Sequence, residues 1–199
     1  MKKEVQKCEI VQSGDPVLRA KAKPVSKSDF GTKALQEIIN KMDAALVAES
    51  DGVAIAAPQI GISLAIFLVS PKAFMLDMEG RVVTPKKSKS SLLGVEGNMV
   101  CINPEIIKTS RKKRKVPEGC LSVRWLYGNT MRHEKAMIRA YDANGKMFTY
   151  GGSGLVAQIF QHETDHLNGV LFIDHATEIE ELTPKEVAEL QAKNKQKHE

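Results

Sequence analysis

The sequence predicts one domain that interleaves helices with β-strands, and three stretches predict it. Between Thr32 and Glu49 the apolar residues Leu35, Ile38, Ile39, Met42 and Leu46 recur at helical spacing. Lys135–Tyr141 alternates apolar with polar residues, and Lys146–Tyr150 returns after Asp142-Ala143-Asn144-Gly145, the pattern of a hairpin. Leu155, Val156, Ile159 and Phe160 form a second helical stripe, with Ser153 the candidate N-cap and Gly169 the candidate stop. That helix carries Gln161-His162-Glu163-Thr164-Asp165-His166, the stretch around which the chain is organised.

The 199 residues suit a single domain able to bury roughly 70% of its unfolded surface. With 42% hydrophobic and 27% charged residues the composition is that of a water-soluble globular protein, expected in the cytoplasm. No apolar run approaches the roughly 20 residues that span a bilayer, and Met1–Lys7 lacks the apolar segment of a secretory signal. Cys8, Cys101 and Cys120 make an odd count without framework spacing, which favours a reducing compartment and leaves a thiolate available as a ligand. A net charge of +5 permits an anionic partner, but Arg111-Lys112-Lys113-Arg114-Lys115 reads first as a solvated loop. Specific DNA binding and membrane association are not expected.

Taken in order, residues 10–19 read as a short extended piece running into a Gly14-Asp15-Pro16 turn, and Lys23-Pro24-Val25 as a second one. The helix over 32–49 follows. The small-residue run Gly52–Gly61, interrupted by Pro58 and carrying Gln59, allows close backbone approach and reads as a buried loop. Leu64–Val69 is a buried strand by its continuous apolar character. Residues 71–98, rich in Gly, Pro, Lys and Ser, read as a long loop insertion. Met99–Ile107 returns to strand and turn, followed by the basic run, Glu118–Val123 and the hairpin. After Gly169, Val170–Asp174 reads as a packed crossing segment, and Thr183 caps a C-terminal helix over 184–199 whose end frays.

Two histidines four apart lie on one side of a helix, so both imidazoles can reach one metal ion while Glu163 can touch water on it. A bare His-Glu-x-x-His also fits an amphipathic helix with packed or solvated histidines. A third ligand must therefore come from elsewhere. Cys120, alone a buried structural thiol, would with His162 and His166 complete a set that leaves one tetrahedral position open. Cys8, Cys101 and a downstream carboxylate among Glu178, Glu180 and Glu181 stay open as alternatives, whereas the third histidine of the extended zincin pattern is replaced by Phe172. At an open position a divalent metal brings the pKa of water towards neutrality, and Glu163 could serve as general base and then acid.

Gly52-Val53-Ala54-Ile55-Ala56-Ala57-Pro58-Gln59, Glu118-Gly119-Cys120-Leu121-Ser122 and Gln161-His162-Glu163-Thr164-Asp165-His166-Leu167 resemble, in order, the three signature motifs of peptide deformylase. Gly14–Arg19 and Ile102–Ile106 look like that family too, and the resemblance runs from about residue 8 to 175. It implies an α+β fold: antiparallel β-sheets wrapped around a central metal-binding helix, with an N-terminal helix and a C-terminal helix. It implies removal of the formyl group from N-formylmethionine of newly made polypeptides, releasing formate. Cys120, His162 and His166 would hold one divalent ion, Fe2+ natively, with Zn2+, Ni2+ or Co2+ able to replace it. Glu163 would act as general acid/base, and the Gln59 side chain and Leu121 backbone N–H would stabilise the oxyanion. The peptide would pair along Ala54, with Ile55, Leu155 and Ile159 around the methionine side chain and the ribosome surface as a further partner.

The chain departs from the family pattern at Ala54, where a second glycine is usual, and at Arg124-Trp125, where proline and often glycine are usual. The 71–98 stretch is also longer than in compact bacterial members. Two other functions fit parts of the sequence: a zinc protease of the His-Glu-x-x-His type, and a non-catalytic nascent-chain or ribosome-binding module. A binding module has no use for Gln59, Cys120 and Glu163 together.

Overall fold

The computed structural model describes residues 9–75, 97–183 and 185–186. The expected N-terminal helix is α1, Lys33–Ala48, opened by Thr32, whose hydroxyl accepts from the Leu35 N–H. Its buried positions Leu35, Ile39, Met42, Ala45 and Leu46 are the stripe read from the sequence. The strands are β1 (Ala54–Ala56), β2 (Ile66–Val69), β3 (Met99–Thr109), β4 (Lys113–Gly119), β5 (Leu126–His133), β6 (Lys135–Tyr141) and β7 (Met147–Ser153). Helix α2 spans Leu155–Leu167, and β8 spans Thr177–Glu181. All strand pairs are antiparallel, in a five-stranded sheet of order β1-β2-β3-β6-β7 and a three-stranded sheet of order β4-β5-β8. The chain is α+β.

The two faces of the larger sheet carry different cores because strand side chains alternate. One face presents Ala56, Phe67, Cys101, Ile138 and Ala140 to Val156 and Phe160 of α2. The other presents Ile55, Ile66, Leu68 and Ile102 to Leu35, Ile39, Met42 and Leu46 of α1. Helix α2 also packs on β5, so both sheets border it. Among the described residues, no helix is long and apolar enough to cross a membrane.

Several expectations need correction. Ser153 does not cap α2: β7 runs on through Gly151, Gly152 and Ser153, pairing with β6 as far as Lys135, and Gly154 takes the cap position. A side chain at Gly152 would come within 2.6 Å of Val156 Cγ1, so the glycine lets the strand lie against the helix rather than ending the sheet. The basic run is less a loop than the start of β4, which is exposed over Lys113, Arg114 and Lys115. Residues 52–61 hold a short strand and a 3-10 turn in place of a loop, and β5 and β8 are strands without an apolar alternation in the sequence. Of the 71–98 insertion, Pro71–Phe74 forms a 3-10 turn, while 76–96 lie outside the described residues, as do Cys8 and most of the 184–199 stretch for which a C-terminal helix is expected.

Gly169 does end α2. Its φ is +76°, and an added Cβ would sit 2.5 Å from the Arg19 carbonyl oxygen. The Val170 N–H then returns to the Asp165 carbonyl at 2.9 Å, closing the helix end. Gly169→Ala combines a left-handed backbone with a backbone clash, and is expected to lower stability by about 2–4 kcal/mol. Chemical denaturation of the two proteins, compared at equal slope, measures the difference.

Candidate metal centre and its cleft

Helix α2 presents His162 and His166 one turn apart, with ring centroids 4.9 Å from each other. Cys120 is the first residue after β4, and its Sγ lies 3.1 Å from Nε2 of His166. One donor atom from each of Cys120, His162 and His166 falls within 4.8 Å of the others. Ligands placed about 2.3 Å (sulfur) and 2.0–2.1 Å (nitrogen) from one ion would be separated by roughly 3.5 Å, so the cluster is of the right size. Glu163 is buried, and its Oε2 has no hydrogen-bond partner among the described residues. A thiol, two imidazoles and an unsatisfied carboxylate oxygen in one cleft are the donor set a divalent cation with an attached water fits.

The histidines are oriented from behind. Glu118, the penultimate residue of β4, is 3.2 Å from Nδ1 of His162, which turns the other ring nitrogen towards the cysteine. Arg132 of β5 donates to both Glu118 oxygens, at 2.7 and 3.0 Å, and to Asp165 of α2 at 2.6 Å. Gln158 donates to the Pro117 carbonyl at 2.8 Å and to Glu118 at 3.4 Å. Burial alone would raise the Glu118 pKa, but hydrogen bonds from His162 and Arg132 reverse it and hold the carboxyl well below its usual range. Burial and the neighbouring His162 keep His166 neutral, the form in which an imidazole can bind a metal. Burial disfavours charge on His162 too, yet Cys120 and Glu118 outweigh it and raise its pKa: this spot favours positive charge. Burial pushes Glu163 up to about 7.

Gln59 lies in the 3-10 turn after β1, fixed by the Ala56 N–H donating to its Oε1 at 2.8 Å. Its amide group therefore faces the cluster, donating to Ser122 Oγ at 3.3 Å and Cys120 Sγ at 3.5 Å. Leu121 follows the cysteine and lines the cleft, a cavity of about 560 Å³ also bordered by Ala54, Leu155 and Ile159. Ile55 is turned away. On a three-residue strand its neighbours Ala54 and Ala56 take the α2 face, and Ile55 is fully buried against α1. Of the alternative third ligands, Cys101 is sealed in β3, where burial pushes its thiol up, and Glu178, Glu180 and Glu181 lie on the exposed strand β8. Phe172, at the extended zincin position, lies 6.4 Å from the His162 ring and stacks on it.

Glu118 and Arg132 had no assigned role in the sequence, nor did Ser122, Gln158, Asp165 and Tyr127. The Tyr127 ring lies over its register partner Gly119, whose added Cβ would be 2.6 Å from the tyrosine Cε1. Arg132 could have been found as a charge on the inward side of β5, had that strand been recognised; the others are set by tertiary contacts alone.

A sequence model of the polypeptide deformylase family matches residues 7–182. Peptide deformylase from Borreliella burgdorferi is 38% identical over 171 residues, covering 85% of this chain and 88% of that protein. Peptide deformylase 1A, chloroplastic/mitochondrial, from Arabidopsis thaliana is 36% identical over 177 residues, covering 87% of this chain, which spans 62% of that relative's length. The Met-Ala-Ser-bound crystal structure of class I type b peptide deformylase from Acinetobacter baumannii superposes with a TM-score of 0.71 at 29% identity, over 85% of this chain and 98% of that one.

Replacing Glu118 by glutamine removes the charge facing buried Arg132 while keeping the shape. Glu118→Gln is expected to lower folding stability by about 1–3 kcal/mol, because buried Arg132 loses its buried charged partner and keeps only Asp165. Urea denaturation checks the loss, and the double variant Glu118→Gln/Arg132→Met should recover part of it.

Proposed function

The chain belongs to the polypeptide deformylase family and is a hydrolase that removes N-formyl groups; from that premise we propose that Cys120, His162, His166, Glu163, Gln59 and Leu121 carry out the deformylation of N-formylmethionyl peptides. The observation that carries the assignment is the convergence of three donor atoms within 4.8 Å beside a buried, unpartnered carboxylate oxygen. Cys120, His162 and His166 would hold one divalent ion, iron(II) in this reading, with zinc, nickel and cobalt also suited to a thiolate and two imidazoles. When bound, that ion supplies Lewis-acid polarisation of water and of the formyl carbonyl.

The remaining work falls to the chain's own residues. The Glu163 carboxylate takes the proton of the attacking water and later passes it to the departing amine nitrogen, leaving formate and a free N-terminus. Its pKa, pushed up to about 7 by burial, suits a group that must both accept and return a proton near neutrality. The Gln59 amide, already facing the cluster, donates to the formyl oxygen as negative charge develops there. The backbone N–H of Leu121 donates to the same oxygen. Losing one such donor typically costs about 10²–10³ in rate.

The peptide pairs along β1, an edge strand of the larger sheet whose Ala54 borders the cleft. Leu155 and Ile159 border the same cleft, and their apolar side chains receive the methionine. The bound Met-Ala-Ser in the Acinetobacter baumannii structure supports a peptide of this kind as the occupant. In this reading the chain works in the cytoplasm on nascent polypeptides, and exposed basic residues such as Lys108, Arg111 and Lys113 meet the ribosome surface.

Formate release from formyl-Met-Ala-Ser by anaerobically purified, iron- or nickel-loaded protein tests the activity, and removal of the metal by a chelator should abolish it. Glu163→Ala is expected to retain stoichiometric metal and to lose at least about 10³ in kcat. Cys120→Ala is expected to lose the metal. A full complement of metal in Cys120→Ala would overturn the ligand assignment, and internal peptide cleavage in place of formate release would make the protein a protease.

A further inference from the structure

Gln158 stands in the wall of the cleft without a part in the chemistry described above. It precedes His162 by one turn of α2 and adjoins Leu155 and Ile159, with which it borders the cleft. Its amide group crosses from the helix to the end of β4, donating to the Pro117 carbonyl at 2.8 Å and to Glu118 Oε1 at 3.4 Å. The other Glu118 oxygen is 3.2 Å from Nδ1 of His162, and Pro117 lies in the strand that leads to Cys120. The side chain thus ties the helix carrying both imidazoles to the strand end that carries the thiol.

The amide is held there for its donors. Both of its partners are acceptors, so the group has one orientation, with Nε2 towards β4 and Oε1 away from it. Oε1 is buried and has no hydrogen-bond partner among the described residues. A buried acceptor left unpaired costs about 1–3 kcal/mol. A methionine would fill a similar volume beside Leu155 and Ile159 without that cost, so packing alone does not account for an amide. Arg132 already holds Glu118 from behind, at 2.7 and 3.0 Å. The contact from Gln158 comes from the cleft side and is longer, which leaves room for an occupant of the cleft to shorten it.

We propose that Gln158 is a positioning residue through which the side chain of the formylated residue is felt at the metal ligands. A methionine side chain lying against Leu155 and Ile159 fills the space beside the amide and presses it onto Glu118. That contact fixes the rotation of His162 and its approach to Cys120. Binding energy from a part of the substrate that does not react is thereby used to order the reacting centre, and it appears in kcat as well as in KM. An alanine side chain leaves the space empty and the amide loose. This rests on the deformylase reading and adds to it the way methionine is told from a smaller formylated residue.

The test measures kcat and KM separately for formyl-Met-Ala-Ser and formyl-Ala-Ala-Ser. It compares the metal-loaded wild type with Gln158→Met, which keeps the length of the side chain and removes its donors. In the wild type kcat should be about tenfold higher on the methionine peptide. In Gln158→Met the two kcat values should come within about twofold of each other, by loss on the methionine peptide, while KM still favours methionine because the apolar wall is intact. A general loosening of the fold would lower both kcat values and leave their ratio unchanged. A second readout needs no turnover, and its wild-type arm needs no variant. With Co2+ in the site, visible absorption reports the ligand geometry. The product Met-Ala-Ser should shift that band further than Ala-Ala-Ser does in the wild type, and the difference should vanish in Gln158→Met. Equal kcat on the two peptides in the wild type, an unchanged kcat ratio in Gln158→Met, or a cobalt band that moves alike with both products would overturn the proposal and leave the deformylase reading standing. Formate from neither peptide would remove that reading, and the proposal with it.

Discussion

The arrangement depends on a carboxylate and a guanidinium that have no water to turn to. Glu118 and Arg132 are almost fully buried, with side-chain exposures of 2% and 8%, and face each other through two hydrogen bonds. Charges removed from water in this way are tolerated only when paired and hydrogen-bonded on every side. Here the partners come from three elements: Glu118 from β4, Arg132 from β5, and His162, Gln158 and Asp165 from α2. Satisfying the pair therefore fixes the helix against the smaller sheet. It also sets the rotation of His162, and with it the direction of the nitrogen that meets Cys120. The fold and the donor set are two consequences of one electrostatic requirement.

The larger sheet supplies the rest by ordinary packing. Phe160 lies between Phe67 of β2 and Tyr150 of β7, with ring centroids 6.3 and 6.2 Å away, and this holds α2 along the sheet. Glu163 thereby faces the cleft from a buried position, where desolvation raises its pKa. Gln59 enters from the opposite wall, oriented by a single backbone N–H at Ala56. A fixed amide between a serine hydroxyl and a thiol has little freedom to turn away, which suits a donor that must be in place before charge develops.

The elements with a strong period were legible in the sequence. Both helices and the β6–β7 hairpin fall where apolar spacing puts them, and His162, His166 and Cys120 lie together as their residue types suggest. What escaped has a physical reason. The inward positions of β5 include Gly128, Thr130 and Arg132, so the strand buries a charge network and lacks an apolar stripe. Strand β8 is exposed along its whole length and offers no burial pattern at all. Ser153 looked like a cap because glycines before it suggested a break, whereas Gly152 is there to let β7 touch Val156. Ile55 looked like a pocket residue because nothing local shows which face of a three-residue strand points inward. Glu118 could be quoted as part of a motif, but its role requires Arg132, 14 positions further on and across a strand pair.

Gly119 and Tyr127 stand opposite each other in the smaller sheet, and the aromatic ring occupies the volume a larger residue at 119 would need. A side chain at 119 would have to displace the ring, so while the tyrosine keeps this place the glycine beside the thiol is held by it. A constraint that looks local to the cysteine segment is in this chain also imposed from the neighbouring strand.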